Sequence, residues 1–283
     1  MQKYIFLFVI TAICSINAVA QKQQSCCAIS ANDEFVRMSS SIGFQEMHDI
    51  PKSIVIDTTA GKTISYRNTD GKLSNAWAIE SKNKKSKVVI FVIHEWWGLN
   101  NFVKNEAIKL SQALPDANIL CLDLYDGKVA TTRDSAAAYM GAVKTTRAEI
   151  IIKGALKKVG TKAKVFTVGW CFGGGWSLQA SLLAGTQAAG CAMYYGMPEK
   201  NLDKLKTLNA DVICIHPTKD KWITQKVMDE FSINMKTTKK QLTLLQYEAD
   251  HAFANPSNTV NYKKEFADDA FEKLVAFYKE RMK

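Results

Sequence analysis

The sequence predicts an α/β fold, a mostly parallel sheet covered by helices on both faces. Two observations carry that reading. Six short runs, 88–93, 118–122, 164–168, 191–195, 212–215 and 242–247, are apolar almost throughout, and strands apolar on both faces belong inside a covered sheet. Between them lie segments with helical spacing, at 101–113, 133–158, 173–184, 222–236 and 262–281. Strand–helix alternation of this kind builds a doubly wound sheet, whose ligands bind beyond the carboxyl ends of its strands.

Taken in chain order, residues 1–20 have the form of a cleavable export signal. Lys3 precedes an apolar run over 4–14, and Ala18-Val-Ala20 places small residues where a signal peptidase requires them. Cleavage after Ala20 predicts a secreted or periplasmic protein with no stable membrane insertion. Residues 21–50 form a polar, weakly patterned extension that we expect to be loosely packed, with Cys26 and Cys27 free to pair with each other or with a partner. From Pro51 to Lys283 we read one domain. It opens with short antiparallel strands at 53–57, 63–66 and 73–79, with Gly61 and Asp70-Gly71 as turns.

The chain has 283 residues, 47% hydrophobic and 23% charged, which excludes a disordered or low-complexity polymer. Beyond the N-terminus no apolar window is long enough for a membrane span. The net charge of +10 rests on 37 basic residues, of which only Arg37, Arg67, Arg133, Arg147 and Arg281 are arginine. Scattered lysine solvates a surface, whereas arginine is the residue suited to bidentate phosphate and base contacts. Nucleic-acid binding is therefore not expected, and a monomer is favoured. Cys121, Cys191 and Cys214 fall in strand-like runs and are expected to be buried hydrophobes.

One strand end carries chemistry. The run 164–168 leads into Gly169-Trp-Cys171-Phe-Gly-Gly-Gly175 and then into a helical stretch. This is the strand–turn–helix pattern G-x-S-x-G with cysteine in the serine's place. A nucleophile on such a strained turn needs small neighbours, and a thiolate there is both nucleophilic and favoured by the helix N-terminus. The partners of such a nucleophile follow in the order acid, then histidine. Asp220 lies in the loop after 212–215 and His251 in the loop after 242–247. His251 would relay protons and Asp220 would hold its tautomer. Of the four histidines, His216 is read as a strand-end residue, and Asp250, adjacent to His251, points away from it. Asp123 is expected to fix a loop. His94-Glu95-Trp-Trp has no second histidine, so no metal site is expected there. This strand end instead supplies an oxyanion-hole amide from Trp96, with that of Phe172 as its companion.

These residues resemble the dienelactone hydrolase family of the α/β-hydrolase fold over about 50–283. The resemblance rests on His94-Glu-Trp-Trp-Gly98, Asp123-Leu-Tyr125, Gly169-Trp-Cys-Phe-Gly-Gly174, Tyr194-Tyr-Gly196, the Asp220 loop and His251-Ala-Phe-Ala254. It implies a Cys171–His251–Asp220 triad that hydrolyses a small ester or lactone through an acyl-enzyme, without a cofactor. It also gives Glu95 the role of local base for the thiol. Two arginines that clamp a substrate carboxylate in the family are replaced here by Gly127 and Asn255, which argues against dienelactone itself. A second reading, motivated by that loss and by the 21–50 extension, is a catalytically weak hydrolase-fold protein that binds a ligand or partner. No C-x-x-C is present to suggest a thiol redox protein. The catalytic reading requires the Cys171 sulfur to be reachable and the His251 ring to lie beside it.

Overall fold

The structure, a computed structural model, describes residues 30–283; the export signal and Cys26–Cys27 lie outside the described residues. β1 (Lys62–Arg67) and β2 (Leu73–Ile79) form an antiparallel hairpin at one edge of the sheet. The parallel strands follow: β3 (Val88–Ile93), β4 (Asn118–Leu122), β5 (Lys164–Trp170), β6 (Ala188–Tyr194), β7 (Val212–Pro217) and β8 (Leu242–Tyr247). The order is β1-β2-β4-β3-β5-β6-β7-β8, with β2 antiparallel to β4 and every later pairing parallel. The doubly wound, largely parallel sheet expected from the apolar runs is the sheet observed. β3, β5 and β7 are almost completely buried along their length.

Helices cover both faces: α3 (Asn101–Ala113), α4 (Arg133–Ala142), α5 (Thr145–Val159), α6 (Phe172–Ala184), α7 (Leu202–Lys206), α8 (Gln225–Thr237) and α9 (Lys264–Met282). Local chemistry sets several of their starts. The Asn100 side chain accepts from the Val103 amide at the head of α3. Thr132 and Ser135 cap α4 reciprocally, which satisfies amides that a helix start leaves without partners. The helical pattern over 133–158 resolves into two helices, because Val143 and Lys144 are extended between them. No helix among the described residues is long and apolar enough to cross a membrane.

Two expectations need correction. Residues 53–57 are not a strand. Their alternation finds no neighbour to pair with, Val55 is 94% exposed, and the segment is tied down instead by Asn101 Nδ2 donating to the Ile54 carbonyl. Residues 30–50, expected to be loosely packed, contain two helices, α1 (Ala31–Met38) and α2 (Ile42–Glu46). Ser30 and Ser41 cap them by accepting from the Asp33 and Phe44 amides. Ala31, Phe35, Phe44 and His48 are buried, and α1 packs on α6 and α4. Charged and polar contacts pin this segment to the domain: Lys200 to Glu34 at 2.8 Å, and Arg133 Nε donating to the His48 carbonyl at 2.9 Å.

Candidate active site

The carboxyl ends of β3, β5, β6, β7 and β8 deliver Glu95, Cys171, Tyr195, Asp220 and His251 to one edge of the sheet. Cys171 is the hinge between β5 and α6 and holds φ 56°, ψ −118°, a region that costs a non-glycine residue free energy unless its surroundings enforce it. The glycines do the enforcing. A Cβ on Gly169 would stand 2.0 Å from the Gly173 carbonyl oxygen, and one on Gly173 would stand 2.3 Å from that of Ile93. Strand, turn and helix can pass this closely only because those side chains are absent.

His251 Nδ1 donates to Asp220 Oδ2 at 2.6 Å. The other oxygen of Asp220 accepts from the Trp222 and Ile223 amides at 2.9 and 3.0 Å. Burial disfavours charge on Asp220, but His251 and these amides overcome it and hold the carboxyl below its usual range. Burial likewise opposes charge on His251, yet the Asp220 carboxylate and the Cys171 sulfur hold it well above a usual histidine. The Cys171 thiol is pushed up by burial, opposed by His251 and by the Phe172 amide, while Glu95 adds to the rise.

Glu95 accepts from Asn255 Nδ2 at 2.7 Å and from the Tyr195 hydroxyl at 3.4 Å. Burial raises its pKa to about 7, against the pull of Asn255 and His251. Asn255, which the resemblance sets in an arginine's place, is thus a buried partner of this carboxylate. His94 binds backbone only: Nδ1 donates to the Glu95 carbonyl at 2.6 Å and Nε2 accepts from the Leu124 amide at 3.1 Å. Asp123 fixes its loop as expected, accepting from the Tyr125 and Gly127 amides. His216 is buried on β7 and neither ring nitrogen has a hydrogen-bond partner in the structure.

The residue that the sequence reasoning missed is His48. Its Nε2 lies 3.6 Å from the Cys171 sulfur, and its Nδ1 donates to the Phe44 carbonyl at 2.7 Å. Burial and the nearby His251 depress its pKa to about 3, so the ring is neutral. Around it Phe44 makes edge contacts with Phe35, Trp96 and Trp222 at 5.4–5.5 Å. Trp222 Nε1 reaches Met47 Sδ at 3.1 Å. The α1–α2 segment therefore roofs the cluster: Cys171 and His251 are 0% exposed, Glu95 and His48 2%, and Asp220 4%. The imidazole of His251 stands beside the thiol as required, but the thiol is not open to solvent. A signal for this existed in the sequence. Ser30 followed by Ala31, Phe35 and Met38 is a helix cap with apolar spacing of four and three, and His48 was one of only four histidines.

Comparison with known proteins agrees with this architecture. A protein of Saccharolobus solfataricus named "Putative carboxymethylenebutenolidase" is 26% identical over 257 residues, covering 76% of this chain and 97% of that protein. A dienelactone hydrolase-like promiscuous phosphotriesterase from metagenomic libraries superposes with a TM-score of 0.66 at 17% identity, covering 78% of this chain and 99% of that one. The Pyrococcus furiosus esterase Pf2001 superposes with a TM-score of 0.57 at 14% identity, covering 83% and 100%. The profile described as the dienelactone hydrolase family matches residues 75–282, and with the sheet order and strand-end elbow already described, the chain belongs to the dienelactone hydrolase family of α/β-hydrolases, a family of ester and lactone hydrolases.

Proposed function

We propose that the protein hydrolyses a small, uncharged ester or lactone by covalent catalysis at Cys171, with His251 and Asp220 completing a triad. The observation that carries this reading is the 2.6 Å bond from His251 to Asp220 behind a cysteine held at φ 56° on a strand–helix turn. Substrate first displaces the α1–α2 roof. Glu95, poised with a pKa of about 7, takes the thiol proton, since proton transfer is most effective near the working pH. The thiolate attacks the carbonyl carbon, and the amides of Trp96 and Phe172 receive the developing oxyanion. Collapse breaks the C–O bond to the leaving oxygen, which takes a proton from His251 and leaves a thioester. Water then attacks that thioester, giving a proton to His251; the C–S bond breaks, the acid leaves, and Glu95 returns its proton to the sulfur. No cofactor enters these steps. With Gly127 and Asn255 where the family has arginines, nothing in the site offers a bidentate fork to a substrate carboxylate. The export signal read at 1–20 supports an activity outside the cytoplasm.

The test is turnover of p-nitrophenyl acetate and simple enol-lactones by the purified protein. Activity should be lost in Cys171→Ala and His251→Ala; equal rates in wild type and Cys171→Ala would refute the reading. The complete burial of the thiol favours a second reading, a hydrolase-fold protein that binds a ligand or partner with little turnover. A burst of one equivalent of p-nitrophenol followed by steady turnover would exclude it.

A further inference from the structure

His48, Cys171 and His251 do not exhaust one another's bonding capacity. Each histidine points its Nδ1 at a group that can only accept, the Phe44 carbonyl at 2.7 Å and the Asp220 carboxylate at 2.6 Å. Each Nδ1 therefore carries a hydrogen, and in each neutral ring the Nε2 is a lone pair. Both Nε2 atoms face a single thiol. In the structure His251 Nε2 is buried with no hydrogen-bond partner, and such a group needs an explanation.

We propose that these three side chains form a zinc site, binding Zn2+ through the Cys171 thiolate and the Nε2 atoms of His48 and His251, with a water in the fourth position. The three ligand atoms lie within 4.8 Å of one another. A tetrahedral pair with ordinary Zn–S and Zn–N lengths is about 3.6 Å apart, and the His48–Cys171 separation is 3.6 Å. His251, within 4.8 Å of both other ligand atoms, closes on the metal to complete the set. The outer shell is already built: histidines that bind metals usually donate their other ring nitrogen to a carboxylate or a backbone carbonyl, and here Asp220 and Phe44 are those two acceptors. A borderline-soft ion suits one thiolate and two imidazoles. Binding expels the thiol proton, and a second proton where His251 holds one. Because His48 comes from the α1–α2 segment, the metal would clasp the roof to the nucleophile.

The consequence for turnover, reversible inhibition by zinc, rests on the proposed thiol chemistry; the binding does not, so the two are measured separately. Chelator-treated protein is equilibrated with Zn2+ and its metal content is read by atomic emission, with Co2+ as a spectroscopic substitute. One equivalent should bind. Cobalt should give a thiolate charge-transfer band in the near ultraviolet that vanishes in Cys171→Ser, and His48→Gln should weaken zinc binding by a hundredfold or more. Zinc should also block alkylation of Cys171 in unmutated protein, which needs no variant to fold. Substoichiometric zinc, a cobalt spectrum without the thiolate band, or unchanged affinity in His48→Gln would each overturn the site. Zinc bound as described in a protein without esterase activity would refute the hydrolytic reading and leave the site standing.

Discussion

Asn255 holds the carboxylate of Glu95, donating from Nδ2 to Oε2 at 2.7 Å inside a site closed to water. A hydrogen bond to a buried charged group is worth about 1.5–3 kcal/mol, or about one to two pKa units. Removing it in Asn255→Ala should therefore raise the acid limb of the kcat/KM profile by about that amount. The profile on p-nitrophenyl acetate, compared between wild type and variant, measures it; an unmoved limb would mean that Glu95 is not the titrating base.

The same carboxylate links pH to stability. Its folded pKa is about 7, above the ordinary 4.5, so the native state holds a proton that the unfolded chain has released. Between those two values the fold loses stability as pH rises, by about 3 kcal/mol in all. Glu95→Gln removes that loss. Urea midpoints at pH 5 and pH 8 should separate less in the variant, and the variant should be the more stable protein at pH 8.

His48 acts with the opposite sign. Its folded pKa is about 3, below the ordinary 6.5, so the stability it lends is intact above 6.5 and is lost as pH falls toward 3. The charged groups that bear on it are His251, Asp220 and Arg133. Acidification should loosen the roof before the sheet. Hydrogen exchange over 31–48, corrected for intrinsic rates, should accelerate between pH 7.5 and pH 5 while β3 and β5 stay protected.

Phe44→Ala tests how the roof is held. Phe44 is fully buried, and truncating a buried phenylalanine costs about 3 kcal/mol or more. If that cost falls mainly on the closed position of α1–α2, the open population rises by about a hundredfold. Iodoacetamide should then modify Cys171 tens to a hundred times faster than in wild type, with little change in the cooperative unfolding of the sheet.

Much of this was legible in the sequence because it was local. The apolar runs became strands, and Gly169 and Gly173 announced a close approach that only glycine allows. Asp220 and His251 follow β7 and β8 as the alternation required. What escaped was carried by distance. Residues 31–38 form a helix of only eight residues, and although its cap and apolar spacing can be read locally, what its apolar side covers is set only once the ends of β5 and β8 have been brought together. Asn255 was read for what it replaced, an arginine, whereas its role comes from Glu95, 160 positions away. Residues 53–57 misled because alternation predicts a strand only where another strand is free to pair with it.

The placement of α1–α2 also fixes an order of events. Asn261 Nδ2 reaches the Met47 carbonyl across 214 positions, and Thr259 reaches Asp49 across 210. These contacts, like that of His48 with His251, cannot exist until the segment 251–261 has been made. The stretch synthesised earliest among those seen here must wait for the last strand before it can settle. Until then the nascent chain carries Cys171 uncovered, and closing loops of that span is slow. Folding of the described domain therefore ends with the seating of α1–α2.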